Sequence, residues 1–239
     1  MGKEFLREEM MFGEDALKKL RQSHVAVFGI GGVGSYSAEA LARAGVGRLT
    51  LVDNDTVSVT NINRQLCALH STVGQNKSDV MAQRILDINP ECRVRSLVRS
   101  YTEADKELFF TEHYDYIIDA IDTVSCKLSL IENAINRDIP IISAMGTGNK
   151  LDPMQFCITD ISKTTGCPLA RVVRKELRAR GINHHKVLYS QELPITPLPL
   201  EAPPEGRRSV PASVSWVPSC AGLMLSGFVV QQLIEDSAQ

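Results

Sequence analysis

The sequence of 239 residues predicts an α/β protein with a doubly wound, mainly parallel sheet, and three observations support this prediction. Short, continuous apolar runs such as "HVAVFGI" and "YDYIIDAID" are typical of strands that are buried on both faces. Amphipathic helical segments alternate with these runs as far as Gly146, which favours parallel crossover connections. A glycine-rich turn, "GIGGVG", follows the first run and precedes a helix. Together these features indicate a Rossmann-like sheet.

The first 150 residues contain a regular succession of expected elements. A short helix in "FGEDALKKL" precedes the first strand, "HVAVFGI", and the glycine turn leads into a helix through "SYSAEALARAG" that ends at Gly45. Glycine and proline at the ends of helices are the usual stop signals. The later expected elements are strand "RLTLVD", helix "NKSDVMAQRILDIN" ahead of Pro90, strands "RVRSLV" and "YDYIIDAID", helix "KLSLIENAINR" and strand "IPIISAMG".

The pattern changes beyond Lys150, and this change divides the chain into two expected parts. Residues 1–150 form a nucleotide-binding domain, and residues 151–239 form a C-terminal α/β segment that determines specificity. In this segment "MQFCITDI" predicts a strand, "PLARVVRKELRARG" a helix that ends at Gly181, and "SCAGLMLSGFVVQQLIEDS" a closing helix. The six prolines in "ELPITPLPLEAPPEGRRSVPASV" predict a long loop between the two helices.

The composition excludes several classes of protein. The chain is 44% hydrophobic with a net charge of −2, which excludes general disorder and a uniformly basic nucleic-acid binder. The six cysteines lack Cys-x-x-Cys spacing, so we expect reduced thiols and not a structural zinc site. The charged N-terminus has no apolar signal core, and we expect residues 221–234, the most apolar segment, to be too short to cross a bilayer. The sequence therefore predicts a cytoplasmic protein without a membrane segment.

The glycine-rich turn is the first candidate binding feature. Gly29, Gly31, Gly32 and Gly34 lie between a strand and a helix. Glycine there permits close backbone approach, and the helix N-terminus favours an anion. Asp53 ends the next strand, where a carboxylate accepts hydrogen bonds from ribose hydroxyls. On these two features alone, a nicotinamide dinucleotide is the natural ligand.

The loop after Asp53 favours a triphosphate instead. It contains Asp55, Asn61 and Arg64, and Lys77 follows in the first turn of a helix. A cation at a helix N-terminus opposes the helix dipole and is unfavourable unless an anion lies nearby. Arginine and lysine beside a phosphate cradle suit ATP, which carries more charge than a dinucleotide. The alternative is that both side chains are solvated surface charges.

Two aspartates in "IIDAIDT" follow a buried strand, at the edge where open α/β sheets bind ligands. Phosphates would repel Asp119 and Asp122 unless a cation lay between them, so Asp122 is a candidate ligand of Mg²⁺. Asp122 is also a candidate N-cap of the following helix, and the two roles are compatible. The glycine turn, the two cations and Asp122 together describe a site for ATP and Mg²⁺ better than a dehydrogenase site.

Four segments, "GIGGVGS", "LVDNDTVSVTNINRQ", "VGQNK" and "DAID", resemble the adenylating superfamily that includes the ubiquitin-activating enzymes and the bacterial activators of sulfur-carrier proteins. The resemblance covers residues 7–148 and implies that residues 1–150 are an ATP-binding adenylation domain. It implies catalytic roles for Arg64, Lys77 and Asp122, the last near Mg²⁺. It also implies a homodimer in which Arg7 reaches the phosphates bound to the partner subunit. The matching ATP-binding residues are Gly31, Asp53, Asn61, Arg64, Lys77 and Asp122.

Further segments indicate the branch of this superfamily. Activators of sulfur carriers usually hold zinc on two Cys-x-x-Cys pairs, which this sequence lacks. "NINRQLCALHSTVGQNK", "INPECRV", "DISKTTGCPLARVVRKELR" and "WVPSCAGLMLSGFVV" are instead similar to the tRNA threonylcarbamoyladenosine dehydratases, nearly from end to end. That similarity implies ATP-dependent cyclisation of the threonylcarbamoyl group on an anticodon-loop adenosine, through an acyl-adenylate. Two other classes stay open: an activator of a sulfur-carrier or ubiquitin-like protein, and a non-catalytic domain that senses NAD.

A basic stripe is expected on the helix "PLARVVRKELRARG". Leu169, Val172, Val173 and Leu177 should pack on the domain, which leaves the basic side chains outward. We expect the stripe to bind tRNA phosphates while the proline-rich loop helps to hold the anticodon stem-loop, and the alternative is an ordinary solvated helix face. The residues of the expected stripe are Arg171, Arg174, Lys175 and Arg178, extended by Lys186, Arg207 and Arg208 from the flanking loops.

Cys167 and Cys220 also lie in the C-terminal segment, where related activators carry a reactive thiol. A thiol relay and a set of buried or incidental thiols are both open. The resemblance further allows a sulfur-transfer or carrier protein as a partner. His184 and His185 are adjacent but have no further ligand nearby in the sequence, which favours a surface pair over a metal site.

Overall fold

Seven strands form one sheet in the computed structural model, which describes residues 3–200 and 210–235. The strands are β1 His24–Phe28, β2 Arg48–Val52, β3 Arg93–Leu97, β4 Tyr116–Asp119, β5 Ile141–Ala144, β6 Phe156–Asp160 and β7 Lys186–Ser190. Their order across the sheet is β3-β2-β1-β4-β5-β7-β6. Neighbouring strands are parallel except β7 and β6, which pair antiparallel at one edge. The predicted doubly wound, mainly parallel sheet is confirmed.

Helices cover both faces of this sheet. Within the described ranges they are α1 Leu6–Phe12, α2 Glu14–Gln22, α3 Gly34–Arg43, α4 Lys77–Ile88, α5 Val124–Ile135, α6 Pro168–Ala179 and α7 Trp216–Glu235. The side chains of each strand alternate between two apolar cores. In β1, Val25 and Val27 enter the core formed with α2, α3, α4 and α7, whereas Ala26 and Phe28 enter the core formed with α5 and α6.

The order of the strands creates a crevice at the carboxyl ends of β1 and β4. The chain passes from β1 to β2 and β3 on one side, and then returns to β4 on the other side of β1. The connections after β1 and β4 therefore lead in opposite directions, and open α/β sheets bind ligands at such a point. The glycine turn follows β1, and Asp122 follows β4, so both predicted features lie at this crevice.

Two elements, α1 and β7, were not predicted from the sequence. Helix α1 contains no buried residue, so its sequence "LREEMMF" lacks the apolar periodicity that marks a packed helix. Strand β7 has five residues and follows two histidines, and it inserts between β5 and β6. Because β6 and β7 continue the sheet, residues after 150 share its two cores with the residues before them.

Helix α7 is longer and more apolar than expected. Within the described residues it is the one helix that is long and apolar enough to cross a membrane, because it extends beyond the expected segment 221–234 at both ends. Half of that segment is buried inside the fold, and a buried core helix meets the same criteria. Ser37 on α3 donates a hydrogen bond to the Gly222 carbonyl oxygen at 3.0 Å, and Ser226 donates to the Ser37 carbonyl oxygen at 3.0 Å.

Replacing Gly222 by alanine should destabilise the protein by about 1–3 kcal/mol, because the new Cβ would overlap the Val33 carbonyl oxygen and crowd Tyr36. Gly227→Ala, in the same helix, is the matched control. No atom lies within 4 Å of its added Cβ, and alanine favours a helix by up to about 1 kcal/mol. Urea unfolding followed by circular dichroism measures both changes. Equal stabilities of the two variants would contradict the close packing of α7 on α3.

Candidate nucleotide site

A cavity of about 780 Å³ opens at the carboxyl ends of β1, β2, β4 and β5. Its volume lies in the range of small-molecule sites in proteins. The structure brings to its wall the glycine turn, the loop after β2, the start of α4 and the loop after β4. The predicted site residues that line it are Gly29, Gly31, Gly32, Asp53, Asp55, Arg64, Lys77 and Asp122.

The glycines of the turn serve different purposes. Gly29 has a φ of +87°, and a Cβ there would lie 2.7 Å from the Ala120 carbonyl oxygen. A Cβ on Gly34 would overlap the Gly29 carbonyl oxygen, so Gly34 allows α3 to begin directly behind the turn. A Cβ on Gly31 would meet only Gln65 Nε2, at 3.7 Å. Packing within the protein does not require glycine at position 31, where it leaves the backbone open to the cavity.

Asp53 fixes the turn to the next strand. Its carboxylate accepts hydrogen bonds from the backbone N–H of Ile30 at 2.6 Å and of Asp55 at 2.8 Å. Burial raises the pKa of Asp53, although both hydrogen bonds and the nearby Lys77 act in the opposite direction. The carboxylate is thus held in place at the cavity wall, with acceptor capacity left for a hydroxyl donor.

The alternative that both cations are solvated surface charges is wrong for Lys77, which is 5% exposed. Its ammonium donates to Asp55 Oδ2 at 2.7 Å, and its backbone N–H donates to the Asp55 carbonyl oxygen. Arg64 is half-buried, and its guanidinium donates to the Thr60 carbonyl oxygen at 2.8 Å and to Asn63 Oδ1 at 2.9 Å. Burial lowers the pKa of Arg64. Two desolvated cations therefore face the same cavity.

Asn61 and Arg7 do not reach the wall of this cavity. Asn61 is buried behind it, where its side-chain oxygen accepts from the Ser58 N–H at 3.1 Å and its carbonyl oxygen accepts from the Arg64 N–H at 3.0 Å. Asn61 thus supports the turn that carries Arg64. Arg7 lies exposed on α1.

The two aspartates after β4 have different environments. Asp122 is exposed at the cavity wall, and its Oδ1 accepts from the Thr123 hydroxyl at 3.3 Å. Thr123, not Asp122, is the N-cap of α5, so the N-cap interpretation of Asp122 is wrong. Asp119 is fully buried and forms an ion pair with Lys127, at 2.7 Å. Sequence reasoning missed Lys127, a cation within the otherwise apolar run "CKLSLI".

The far wall of the cavity comes from the C-terminal half of the chain. It includes Asn149, Lys150 and Cys167, none of which we had predicted to bind the nucleotide. Lys150 is 4% exposed and donates to the Glu192 carbonyl oxygen. Burial lowers the pKa of Lys150. Cys167 precedes α6 and is buried, whereas Cys220 lies on α7. The sequence feature that could have indicated this wall is the run "GTGNK", because it follows shortly after β5, another strand that ends at the crevice.

Asn149 anchors both ends of the proline-rich loop. Its carbonyl oxygen accepts from the Ile195 N–H at 2.8 Å, and its N–H donates to the Ala212 carbonyl oxygen at 2.8 Å. Its side-chain oxygen also accepts from the Ala212 N–H at 2.7 Å. Asn149 has a φ of +60°, a left-handed conformation that asparagine tolerates better than most residues. The loop therefore begins and ends at the rim of the cavity.

The predicted basic stripe is smaller than expected. Arg174 is half-buried and its guanidinium donates to the Thr164 carbonyl oxygen at 2.8 Å, so it holds a turn of the protein. Val172 is 43% exposed and does not pack on the domain. Lys186 lies over the Phe228 ring of α7, on the opposite face of the sheet from α6. The exposed residues of the stripe are Arg171, Lys175 and Arg178, and Arg207 and Arg208 lie outside the described residues.

The adjacent histidines are separated by the structure. His184 is exposed, with Nδ1 3.3 Å from Asp160 Oδ2. His185 is buried, contrary to the expected surface pair, and its Nε2 lies 2.8 Å from the Ser143 hydroxyl. Burial, assisted by the charge of Lys127, lowers the pKa of His185 to about 3. Among the described residues, no group of three or more His, Cys, Asp or Glu side chains is placed to hold a metal ion.

Comparison with known sequences gives relatives of two kinds. The ThiF family profile matches residues 5–234. A tRNA threonylcarbamoyladenosine dehydratase of Bacillus subtilis is 50% identical over 242 residues, covering 98% of this chain and 95% of that protein. The molybdopterin-synthase adenylyltransferase of Escherichia coli is 33% identical over 132 residues, covering 55% of this chain and 53% of that protein.

Solved structures agree with these matches. The tRNA N6-threonylcarbamoyladenosine dehydratase of Escherichia coli, in crystal structures with ATP and with AMP, superposes on this chain with a TM-score of 0.90. The two are 35% identical, and the match covers 99% of this chain and 96% of that one. Because the family profile spans nearly the whole fold and the Bacillus subtilis relative matches nearly from end to end, this chain belongs to the ThiF family.

Proposed function

We propose that this chain is an ATP-dependent enzyme that dehydrates, and thereby cyclises, the threonylcarbamoyl group of threonylcarbamoyladenosine in tRNA. The observation that carries the proposal is the convergence of the glycine turn, Arg64, Lys77 and Asp122 on one cavity. The dehydratase relative at 50% identity and the ATP and AMP complexes of the Escherichia coli enzyme support it.

ATP fits the crevice with its phosphates over the glycine turn and its ribose near Asp53. The open backbone at Gly31 and the N-terminus of α3 suit an anion. Asp53 is held by two backbone donors and accepts hydrogen bonds from ribose hydroxyls. Arg64 and Lys77 provide the positive charge that a triphosphate requires, which favours ATP over NAD.

The substrate carboxylate needs no protein base, because it is ionised at neutral pH. It attacks the α-phosphate, pyrophosphate leaves, and an acyl-adenylate of the threonine carboxylate remains. Arg64 and Lys77 stabilise the charge that develops on the phosphates. The ureido part of the same threonylcarbamoyl group then attacks the activated carbonyl carbon, AMP leaves as the ring closes, and the ureido N–H proton is released to solvent. Because this second step is intramolecular, orientation in the cavity supplies much of its rate, and no enzyme thiol is required.

Asp122 suits Mg²⁺ better than its neighbours do. Its carboxylate is exposed at the cavity wall, whereas Asp119 is fully buried. Mg²⁺ usually takes one or two carboxylates together with substrate phosphates and water, so a single protein ligand is sufficient. When bound, Mg²⁺ would neutralise phosphate charge next to Asp122.

The two parts of the chain have separate roles in this proposal. Residues 1–150 bind and activate ATP, and residues 151–239 select tRNA through the far cavity wall, the proline-rich loop and α6. We place the enzyme in the cytoplasm as a homodimer, in which Arg7 acts on the partner's nucleotide. The match to a molybdopterin-synthase adenylyltransferase favours one alternative, activation of a sulfur-carrier or ubiquitin-like protein, with a sulfur-transfer protein as partner.

Purified protein with ATP, Mg²⁺ and tRNA that carries the open nucleoside should yield the cyclic nucleoside, measured by mass spectrometry of digested tRNA.

Arg64→Ala and Lys77→Ala should keep the fold but lower turnover by about 10²–10³-fold, with smaller effects on the KM for ATP. Arg43→Ala is the control, because Arg43 pairs with Glu39 outside the cavity. Normal turnover by either cation variant would exclude our assignment of the site. Pyrophosphate exchange that depends on a carrier protein ending in Gly-Gly, and not on tRNA, would favour activation of a sulfur-carrier or ubiquitin-like protein.

Asp122→Asn should abolish Mg²⁺-dependent turnover, whereas Asp87→Asn, an exposed aspartate on α4 outside the cavity, should not.

If Arg7 acts across a homodimer, Arg7→Ala should also be inactive. Mixing it with inactive Asp122→Asn should restore part of the activity, because one intact site forms in each mixed dimer. Subunit exchange is followed by fluorescence energy transfer. Demonstrated exchange without recovery would contradict action across the interface.

Arg171→Glu combined with Arg178→Glu should weaken tRNA binding by about 1 kcal/mol or more and reduce its salt dependence. Arg174 is left intact because it holds the turn at Thr164. The control is the double reversal of Lys18 and Lys19 to Glu on α2, which packs in the opposite core. Filter binding over a range of salt concentrations measures both variants. Wild-type affinity and salt slope in the α6 variant would require another RNA surface.

A further inference from the structure

A second cavity, of about 470 Å³, lies at the opposite edge of the sheet, at the amino ends of β2 and β3. These strands have five residues each, so this edge lies about 13 Å from the carboxyl edge that carries the nucleotide cavity. The second cavity therefore plays no part in the site described above. Its wall consists of Arg21, Gln22, Gly47, Arg48, Asn89, Glu91 and Arg93.

The three arginines come from three segments that meet at Gly47. A Cβ on Gly47 would overlap the Arg21 carbonyl oxygen, so these two backbones are in direct contact. Arg48 follows Gly47 in the chain, and the Arg93 N–H donates to the Gly47 carbonyl oxygen at 2.9 Å. Arg48 and Arg93 are also register partners in the parallel pair β2 and β3. Their side chains therefore leave the same face of the sheet at adjacent positions.

In the part of the chain that the structure describes, these arginines have no acidic partner within ion-pair distance. Within residues 3–200 and 210–235, Arg21, Arg48 and Arg93 form no side-chain hydrogen bond or ion pair. Other arginines do, such as Arg84 with Glu39 and Arg137 with Glu107. The cavity wall combines three cations with one acid, Glu91. Like charges on adjacent strands destabilise a sheet, so an anion in this cavity would relieve a repulsion.

The charge of Arg48 also acts on a titratable side chain inside the protein, His24. His24 is the register partner of Arg48 in the neighbouring strand β1. Burial is the largest cause that lowers the pKa of His24, and the charge of Arg48 is the next. Glu112 and Asp115 raise the pKa of His24, but they do not outweigh these two effects.

We propose that this second cavity binds a phosphate group carried on a ribose, as in a free nucleotide or in an RNA backbone. Guanidinium groups match phosphate oxygens with paired hydrogen bonds, and three residues of this wall are arginines from separate segments. The cavity is larger than one phosphate needs and lies in the size range of small-molecule sites. The Glu91 carboxylate and the Gln22 amide are suited to ribose hydroxyls. This inference does not depend on the proposed activity.

The test is a calorimetric titration of the whole protein with inorganic phosphate, in which phosphate bound at the first cavity contributes equally to the wild type and to variants of the second cavity. Arg48→Gln combined with Arg93→Gln should weaken phosphate binding at least about tenfold, or about 1.4 kcal/mol. Arg43→Gln combined with Arg180→Gln removes two arginines that pair with acids, and should leave binding unchanged. Arg48→Lys combined with Arg93→Lys keeps both charges but loses the planar guanidinium groups, so its phosphate affinity should lie between those of the wild type and the glutamine variant. Urea unfolding confirms that each variant is folded.

Absence of phosphate binding by the wild-type protein, or equal binding by the glutamine variant, would overturn the proposal. The same variants are then titrated with unmodified tRNA at several salt concentrations. If tRNA affinity falls and the slope of log K against log salt concentration becomes smaller by about two, the site binds the RNA backbone. Unchanged tRNA binding, with phosphate binding lost, assigns it to a free nucleotide.

Discussion

The buried ion pair of Asp119 and Lys127 holds the floor of the nucleotide cavity together. Both side chains are fully buried, and the Lys127 ammonium also donates to the Ala144 carbonyl oxygen at 3.1 Å. One cation on α5 thus joins the carboxyl ends of β4 and β5. Removal of one partner from a buried pair costs roughly 3–5 kcal/mol, because the other charge is left without water. The shape of the crevice depends on this contact, since both strands end at its edge.

The same pair determines which acid faces the ligand. Asp119 Oδ1 accepts from the Ile121 N–H at 3.0 Å and thereby shapes the turn that leads to Asp122. One carboxylate is neutralised inside the protein, and the next remains exposed at the cavity. On the opposite wall, Lys77 is buried but its partner Asp55 is largely exposed. Because Asp55 is exposed to solvent, our proposal that Lys77 binds a phosphate requires only that the buried ammonium exchange one anionic partner for another.

The sequence predicted the elements with strong periodicity and the site residues that belong to local motifs. Glycine spacing after an apolar run located the turn at Gly29, and a lysine at a helix start located Lys77. Features that depend on tertiary contacts could not be predicted from the sequence. Helix α1 buries nothing, and β7 is too short to show a period. The spacing that placed Arg174 on a basic face could not indicate that the Thr164 turn would occupy its guanidinium. Lys186 was assigned to the wrong side of the sheet because the strand that contains it was not recognised.

The two-ended attachment of the proline-rich loop to Asn149 has a consequence for how this fold can vary. Because Ile195 and Ala212 both bond to one residue, the ends of the loop stay at the cavity rim whatever lies between them. Loop-closure entropy grows slowly with length, so insertions or deletions in this segment should be tolerated without disturbing the sheet. The segment can therefore change in length and sequence while the sheet and the turns at its edge keep their geometry.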